Sequence, residues 1–542
     1  MNQTHWVKTI AETEKKTDKI PFLNFRLSKI ILYTAFTAAF VFIFIEIILL
    51  RLGHEINIVS ISIIFAQTII VYIIARRYEI KLENDEIRQT TDSLTNLFNG
   101  SGFVSELKKA IDTENYFYLV LIDIDNFDEI SDSVGIAKMD EIFKAIASQI
   151  ENIPESFIHS RFNFDKFAFL SRTENSLMLT AQLDEFEKGL KAISQKYSLE
   201  NPISFSSGIV FYPDQAKDIS QLLNFAEIAL EKSKSNKTES NNTFFIQEYL
   251  DDKNRTHSIQ RDLLSACRNG ELQVYYQPKI SLRNKTVTGM EALSRWTHPN
   301  IGYIAPEEFV KVAEKSGHIL SFGEFVLESA LHHIRRIHEM GLKDITISIN
   351  VSPLQLLQPG FADNVYAKAQ KIGVEPSKIY LEITEGTMLK KESAVVLKRL
   401  KNMGFNLSLD DFGTGYSSLN YLHQYSFDEL KIDKSFTDGL MRGHNERRLF
   451  KFLIMLARDL GMKAVTEGVE DDIQIKLLQG LGAEEIQGWY YSKALSSLDC
   501  IDYIRNFRFS EASLDNSIDP SKTNEYFIKR ITDKKDEQIN IP

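Results

Sequence analysis

Cysteine, net positive charge and long apolar runs are all scarce in this chain of 542 residues. Its two cysteines, Cys267 and Cys500, lie far apart without metal-ligand spacing, so there is no basis for a disulfide framework or a thiolate cage. Lys and Arg number 63 against 74 Asp and Glu, which gives a net charge of −11. That balance argues against the broad basic face of a duplex nucleic-acid binder. It still permits an anionic substrate, because bound cations invert local charge. The length is too great for one core, and the hydrophobic and charged fractions, 43% and 25%, are ordinary for folded protein. After Phe509 large apolar residues become rare, and residues 509–542 read as a disordered tail.

The long apolar runs that do exist are confined to the N-terminal part. Ile30–Leu50, interrupted late by Glu46, and Ile56–Ala75, with Gln67 inside it, are each close to the ~20 residues that span hydrocarbon as a helix. The first is too long, and starts too late, for a signal peptide. The short connection Arg51–Glu55 makes the pair a transmembrane hairpin over 30–75, with Glu46 a snorkelling or interfacial group. Lys8, Lys15, Lys16, Lys19, Arg26 and Lys29 precede the hairpin, and Arg76, Arg77 and Lys81 follow it. Positive charge on both flanks places both ends, including residues 1–29, in the cytoplasm of a cell with the chain in its inner membrane. The alternative is two buried core helices. Residues 76–91 form a charged, helix-prone linker in which Ile80 and Ile87, seven apart, permit a short coiled coil and a homodimer.

Beyond the linker, Phe117–Ile124, Ala168–Leu170 and Ile203–Tyr212 read as strands among helical stretches, a mixed α/β domain over 92–240. Residues 241–255 are read as a linker. From Leu272 the rhythm changes, and apolar strands alternate with helical patterns through Glu484–Ile486. Repeated alternation over ~250 residues suits a parallel β/α barrel, assigned to 256–508. Glu291, Asn350, Glu382, Asp410, Asp411, Lys431, Glu467 and Gln487 fall at or just past the C-terminal ends of these runs, where barrel chemistry resides. Converging carboxylates repel one another unless a cation lies between them, and hard divalent ions prefer oxygen donors. A metal-dependent enzyme is the reading this supports.

The series Glu291-Ala292-Leu293-Ser294-Arg295, preceded by Tyr276-Gln277-Pro278, resembles the signature of the EAL-domain cyclic di-GMP phosphodiesterases. Asn350-Val351-Ser352, Glu382-Ile383-Thr384-Glu385, the run from Asp410 to Leu419, Lys431-Ile432-Asp433, Glu467-Gly468-Val469-Glu470 and Gln487-Gly488 follow in family order. The resemblance implies a TIM-like (β/α)8 barrel that hydrolyses cyclic di-GMP to linear pGpG with two Mg2+ or Mn2+ ions. It implies one ion on Glu291, Asn350, Glu382 and Asp410, and a second on Asp410, Asp411 and Glu467. Lys431 would orient the attacking oxygen and offset phosphate charge, and Glu467 could accept a proton. The resemblance further implies that Arg295 and Gln277 contact substrate, that Gln487 supports the water shell, and that Glu470 and Glu385 hold substrate and the loop Phe412–Leu419. Ser294, Gly386, Thr466 and Ala494 depart from common family residues, and none is an implied ligand.

The upstream domain resembles the GGDEF diguanylate cyclase module in Asp92–Leu97, Asp123–Phe127, Asp132, Gly135, Asp140, Ser207–Ile209, Pro213 and Ala226–Leu230. The signature itself reads Asn163-Phe164-Asp165-Lys166-Phe167. The missing glycine pair removes the room a nucleotide needs, and Lys166 reverses an acidic charge. Ser131 stands where the family has a guanine-reading Asn, Thr238 stands near the position of the family's phosphate-binding Arg, and Pro154 and Phe157 occupy the places of the product-inhibition pair. The expectation is therefore a membrane-anchored phosphodiesterase with an inactive cyclase-like regulator or scaffold. The competing functions are a non-catalytic cyclic di-GMP receptor and a diguanylate cyclase. The input signal and any regulatory partner protein are unspecified.

Overall fold

The structure, a computed structural model, describes residues 87–235, 241–389, 391–412 and 425–508, with scattered positions between 37 and 81. Most of the expected hairpin, Glu46, Thr238, residues 413–419 of the loop and the tail 509–542 lie outside the described residues. Among the described residues no helix is long and apolar enough to cross a membrane. The chain divides into two compact units between Asn254 and Arg255.

The first unit is built on a five-stranded sheet in the order β2-β3-β1-β4-β5. Its strands are β1 (Phe117–Ile124), β2 (Ser156–Arg161), β3 (Lys166–Ser171), β4 (Phe205–Tyr212) and β5 (Asn242–Phe244). β1 is central and apolar at nearly every position, so it is buried along its whole length. Strand alternation sends Tyr118, Val120, Ile122 and Ile124 to one core and Phe117, Leu119 and Leu121 to the other. Helix Ile219–Ser235 lies flush on the sheet because Gly208 has no side chain: a Cβ there would meet the Ala226 carbonyl oxygen at 2.0 Å. The segment 241–255 carries β5, which extends the sheet, and the start of helix Gln247–Asn269.

The second unit is a closed barrel. Its strands are β6 (Leu272–Ser281), β7 (Thr286–His298), β9 (Thr346–Asn350), β10 (Ile379–Thr384), β11 (Asn406–Phe412), β12 (Glu429–Ile432), β13 (Lys463–Thr466) and β14 (Glu485–Ile486), while the short β8 (Gly302–Ile304) pairs only with β7. The pairs from β7 and β9 through β13 and β14 are parallel. The expectation of a wholly parallel barrel needs one correction: β6 runs antiparallel to both β7 and β14. Only residues 282–285 separate β6 from β7, with Lys285 in a left-handed conformation at φ 57°. A parallel crossover needs a dozen or more residues, so this connection can only make a hairpin.

Barrel and helices share one apolar core. Trp296 is fully buried in it, edge-on to Phe309 at 5.8 Å. Side-chain caps start the helices next to the site: Ser352 closes a capping box with Gln355, Asp433 accepts from the Ser435 N–H, and Asp471 closes a second box with Gln474.

Candidate active site

Strand register brings the candidate residues to one end of the barrel. Glu291 stands beside Gln277 on β6 and Ser348 on β9, and Glu382 beside Asn350 and Ser408. Glu291 is not at a strand end, as its apolar run implied, because β7 continues past it to pair with β8. Asp410 and Asp411 owe their placement to a bulge. The pairing of Leu409 with Leu430 is followed by Phe412 with Ile432, so β11 carries one extra residue. Asp411 takes the strained turn at φ 55°, a conformation short polar side chains tolerate.

The centre of the mouth is the Lys431 ammonium. It lies 3.3 Å from Glu291 Oε2, 2.8 Å from Glu382 Oε2, 3.0 Å from Asp410 Oδ1 and 2.7 Å from Glu467 Oε1. Asn350 Nδ2 donates to Glu291 Oε1 at 2.8 Å, and Gln487 Nε2 donates to Glu291 Oε2 at 2.7 Å. Gln487 also donates to Gln277 Oε1 at 3.2 Å, and Gln277 donates to the Ser492 carbonyl at 3.1 Å. Gly488 lets the chain after Gln487 press against Val469, whose carbonyl oxygen would sit 2.1 Å from an added Cβ.

Not every candidate joins this cluster. Asp411 is exposed, and its backbone N–H donates to Asp410 Oδ1 at 3.1 Å. Arg295 donates to the carbonyl of its neighbour Ser294 at 2.8 Å. Glu470 pairs with Lys434. Glu385 is buried, and its carboxylate oxygens have no hydrogen-bond partner among the described residues.

One cation serves several acids, and the electrostatics reflect that shortage. Burial, reinforced by the charge of Glu382, pushes Glu291 up to about 7. Burial raises Asp410 to about 7, and it raises Glu467 as well, against the pull of Lys431. Glu382 goes the other way: burial would raise it, but Lys431 and Lys279 outweigh that and hold it down to about 2. Lys431 is held well above the ordinary lysine value, because the surrounding carboxylates outweigh the effect of burial. Oxygen donors short of positive charge are the chemistry that accepts a hard divalent cation. Among the described residues, however, no three His, Cys, Asp or Glu side chains are grouped as a metal cage. The carboxylates converge on Lys431 instead.

A family model for the EAL domain matches residues 260–494, and one for the diguanylate cyclase, GGDEF domain, matches residues 89–240. The chain is a GGDEF–EAL tandem. It is 33% identical over 416 residues to the bifunctional diguanylate cyclase/cyclic di-GMP phosphodiesterase MucR of Pseudomonas aeruginosa, covering 74% of this chain and 60% of MucR. It is 30% identical over 431 residues to the cyclic di-GMP phosphodiesterase NbdA of the same organism, covering 78% of this chain and 54% of NbdA. The chain thus spans under two thirds of either relative. A solved structure titled as the PaMucR phosphodiesterase in complex with c-di-GMP is 37% identical, with a TM-score of 0.43, covering 45% of this chain and 99% of its own.

In the GGDEF domain the signature segment forms the β2–β3 turn, closed by Phe162 N–H to the Lys166 carbonyl at 2.8 Å. Phe164 stands exposed at its tip. Asp123, buried near the end of β1, faces Lys166 across the strand pair. Its Oδ2 lies 2.6 Å from Lys234 Nζ and 4.0 Å from Lys166 Nζ, and Lys166 also reaches Glu227 at 2.6 Å.

In the EAL domain, sequence reasoning passed over Lys279 and Glu429. Both are buried in the barrel interior and paired at 2.7 Å. The signal was a lone Lys inside the apolar strand Val274–Ile280 and a lone Glu opening β12. An unpaired charge in such a strand is costly, so each implied a partner.

Proposed function

We propose that the EAL domain hydrolyses cyclic di-GMP to linear pGpG with two Mg2+ or Mn2+ ions. The observation that carries this reading is the convergence of Glu291, Glu382, Asp410 and Glu467 on one buried ammonium at the barrel mouth. Glu291, Asn350, Glu382 and Asp410 would hold one ion, and Asp410, Asp411 and Glu467 the other. When bound, the ions supply Lewis acidity that activates water and neutralises the phosphodiester. Lys431 adds positive charge against the phosphate as its ester bond opens. Glu467 Oε is suited to take the proton of the attacking water, since burial raises its affinity for protons. Gln487 and Asn350 hold the Glu291 carboxylate from two sides. Arg295 offers a planar fork for a phosphate, with Gln277 and Glu470 about the substrate and Glu385 in control of the loop Phe412–Leu419.

The GGDEF domain acts in this reading as a regulator or scaffold without cyclase activity. Two lysines of the chain itself attend Asp123, and Asn163 and Phe164 replace the glycine pair. The apolar runs of 30–75 anchor the chain in the inner membrane with both domains in the cytoplasm, and Ile80 and Ile87 support a homodimer through the linker.

The test is incubation of the full chain with cyclic di-GMP and Mn2+. Linear pGpG as product supports the enzyme. Tight binding without turnover supports the alternative, a non-catalytic receptor.

A further inference from the structure

The barrel interior below the mouth is polar, and it is organised around a second buried lysine. Lys279 is 2% exposed. Its ammonium donates to Ser348 Oγ at 2.7 Å, to Glu382 Oε1 at 3.1 Å and to Glu429 Oε1 at 2.7 Å. An ammonium has three protons, so these partners use all of its donor capacity. Ser408 Oγ donates to the same Glu429 oxygen at 2.9 Å.

Glu382 is the link between the two levels. Its Oε1 faces Lys279 below, and its Oε2 faces Lys431 above at 2.8 Å. Glu429 pairs with Lys279 within the lower level, and the bond from Lys279 to Glu382 adds a fixed direction to the charge that Lys279 lends it. A carboxylate on a flexible stem would otherwise rotate both oxygens toward any cation at the mouth. Here one oxygen is committed downward and one is presented upward.

We propose that Lys279 is a positioning residue that restricts Glu382 to one oxygen at the barrel mouth and so fixes it as a single-oxygen ligand. The inference rests on the metal-dependent phosphodiesterase reading. It assigns to the strand before the signature a role in cation binding, through Glu382 and not through a ligand atom of Lys279 itself. Supporting partners of this kind change metal affinity roughly 10–100-fold when lost.

The test uses the full chain and Mn2+ binding, followed by the paramagnetic resonance of free Mn2+, alongside cyclic di-GMP turnover. Lys279→Met/Glu429→Gln removes both charges together and leaves an amide to accept from Ser408. We expect thermal melting close to wild type, Mn2+ binding weaker by ten-fold or more, and turnover lost at limiting Mn2+ but restored at saturating Mn2+. Glu429→Gln alone keeps the bond from Lys279 to Glu382, and its Mn2+ affinity should stay within two-fold of wild type. A folded double variant with unchanged Mn2+ affinity overturns the inference, and so does a ten-fold loss in Glu429→Gln. Wild-type protein that binds no Mn2+ sinks the metal reading and this inference together. Wild-type protein that binds Mn2+ without turnover removes only the activity, and the binding comparison still decides the role of Lys279.

Discussion

Asn350 Nδ2 donates to Glu291 Oε1 at 2.8 Å, which turns the oxygen side of the Asn350 amide away from Glu291. An amide held this way offers a neutral oxygen donor beside an anionic one, without adding another negative charge to the mouth. Asn350→Ala should lower turnover of cyclic di-GMP by roughly 10–100-fold and weaken Mn2+ binding in step. Glu291→Ala, which removes the carboxylate itself, should abolish turnover. Single-turnover kinetics across a Mn2+ series check both, and wild-type rates in Glu291→Ala would remove Glu291 from the proposed site.

The Lys234–Asp123 pair at 2.6 Å governs the prediction for the other domain. Asp123 has two ammoniums within 4.0 Å, so a divalent ion there would meet like charge. The chain given GTP and Mg2+ should therefore form no cyclic di-GMP. The assay belongs in the Glu291→Ala background, where any product formed would not be consumed. Accumulation of cyclic di-GMP there, measured by nucleotide chromatography, contradicts the inactive reading.

The legible and illegible parts of the fold divide along physical lines. Strand β1 was readable because it is buried on both faces, and seven of its eight positions, all but Asp123, are apolar. Glu429–Ile432 was readable from its place in the strand–helix alternation, although two of its four buried residues, Glu429 and Lys431, are charged. β2 was missed because His159 and Arg161 interrupt its alternation, and β5 because three residues carry no period. The bulge at Asp410 and Asp411 leaves no trace in composition; only the register of β11 against β12 reveals it. Six of the residues named from motif order, Glu291, Asn350, Glu382, Asp410, Lys431 and Gln487, do meet in space, with Glu467 beside them. Arg295 and Glu470 instead engage a chain neighbour and Lys434, contacts that depend on side-chain direction and not on position in the chain.

Trp296 should be the costliest single truncation in the barrel. It is fully buried, edge-on to Phe309 at 5.8 Å and 5.7 Å from the His298 ring. Trp296→Ala leaves a cavity that rigid strands β6 and β7 cannot close, at a cost of about 3–5 kcal/mol. Denaturant unfolding followed on the EAL domain's transition checks this, and a loss below ~1 kcal/mol would mean that the site collapses around the smaller side chain.

His333 sets an acid limit on the EAL domain. Its ring is buried, stacked on Tyr276 with centroids 3.6 Å apart, and its Nδ1 lies 2.9 Å from Ser497 Oγ. Burial, with a smaller contribution from the Arg336 charge, lowers its pKa from 6.5 to about 4. The folded state thus keeps the ring neutral, whereas the unfolded chain takes up a proton below about 6.5. Between those values the unfolded state binds more protons, so stability rises with pH through the window and is lost as pH falls from about 6.5 toward 4. The shift corresponds to at most about 3 kcal/mol, of which about 2 kcal/mol should be lost between pH 7 and pH 4.5. His333→Phe keeps an aromatic ring against Tyr276 and cannot be protonated. Its unfolding free energy should fall less than that of wild type over the same interval by about 2 kcal/mol, since the carboxylates contribute equally to both proteins. Denaturant titrations of both at the two pH values measure the difference, and parallel pH slopes would mean that His333 takes up its proton in the fold at the same pH as in the unfolded chain.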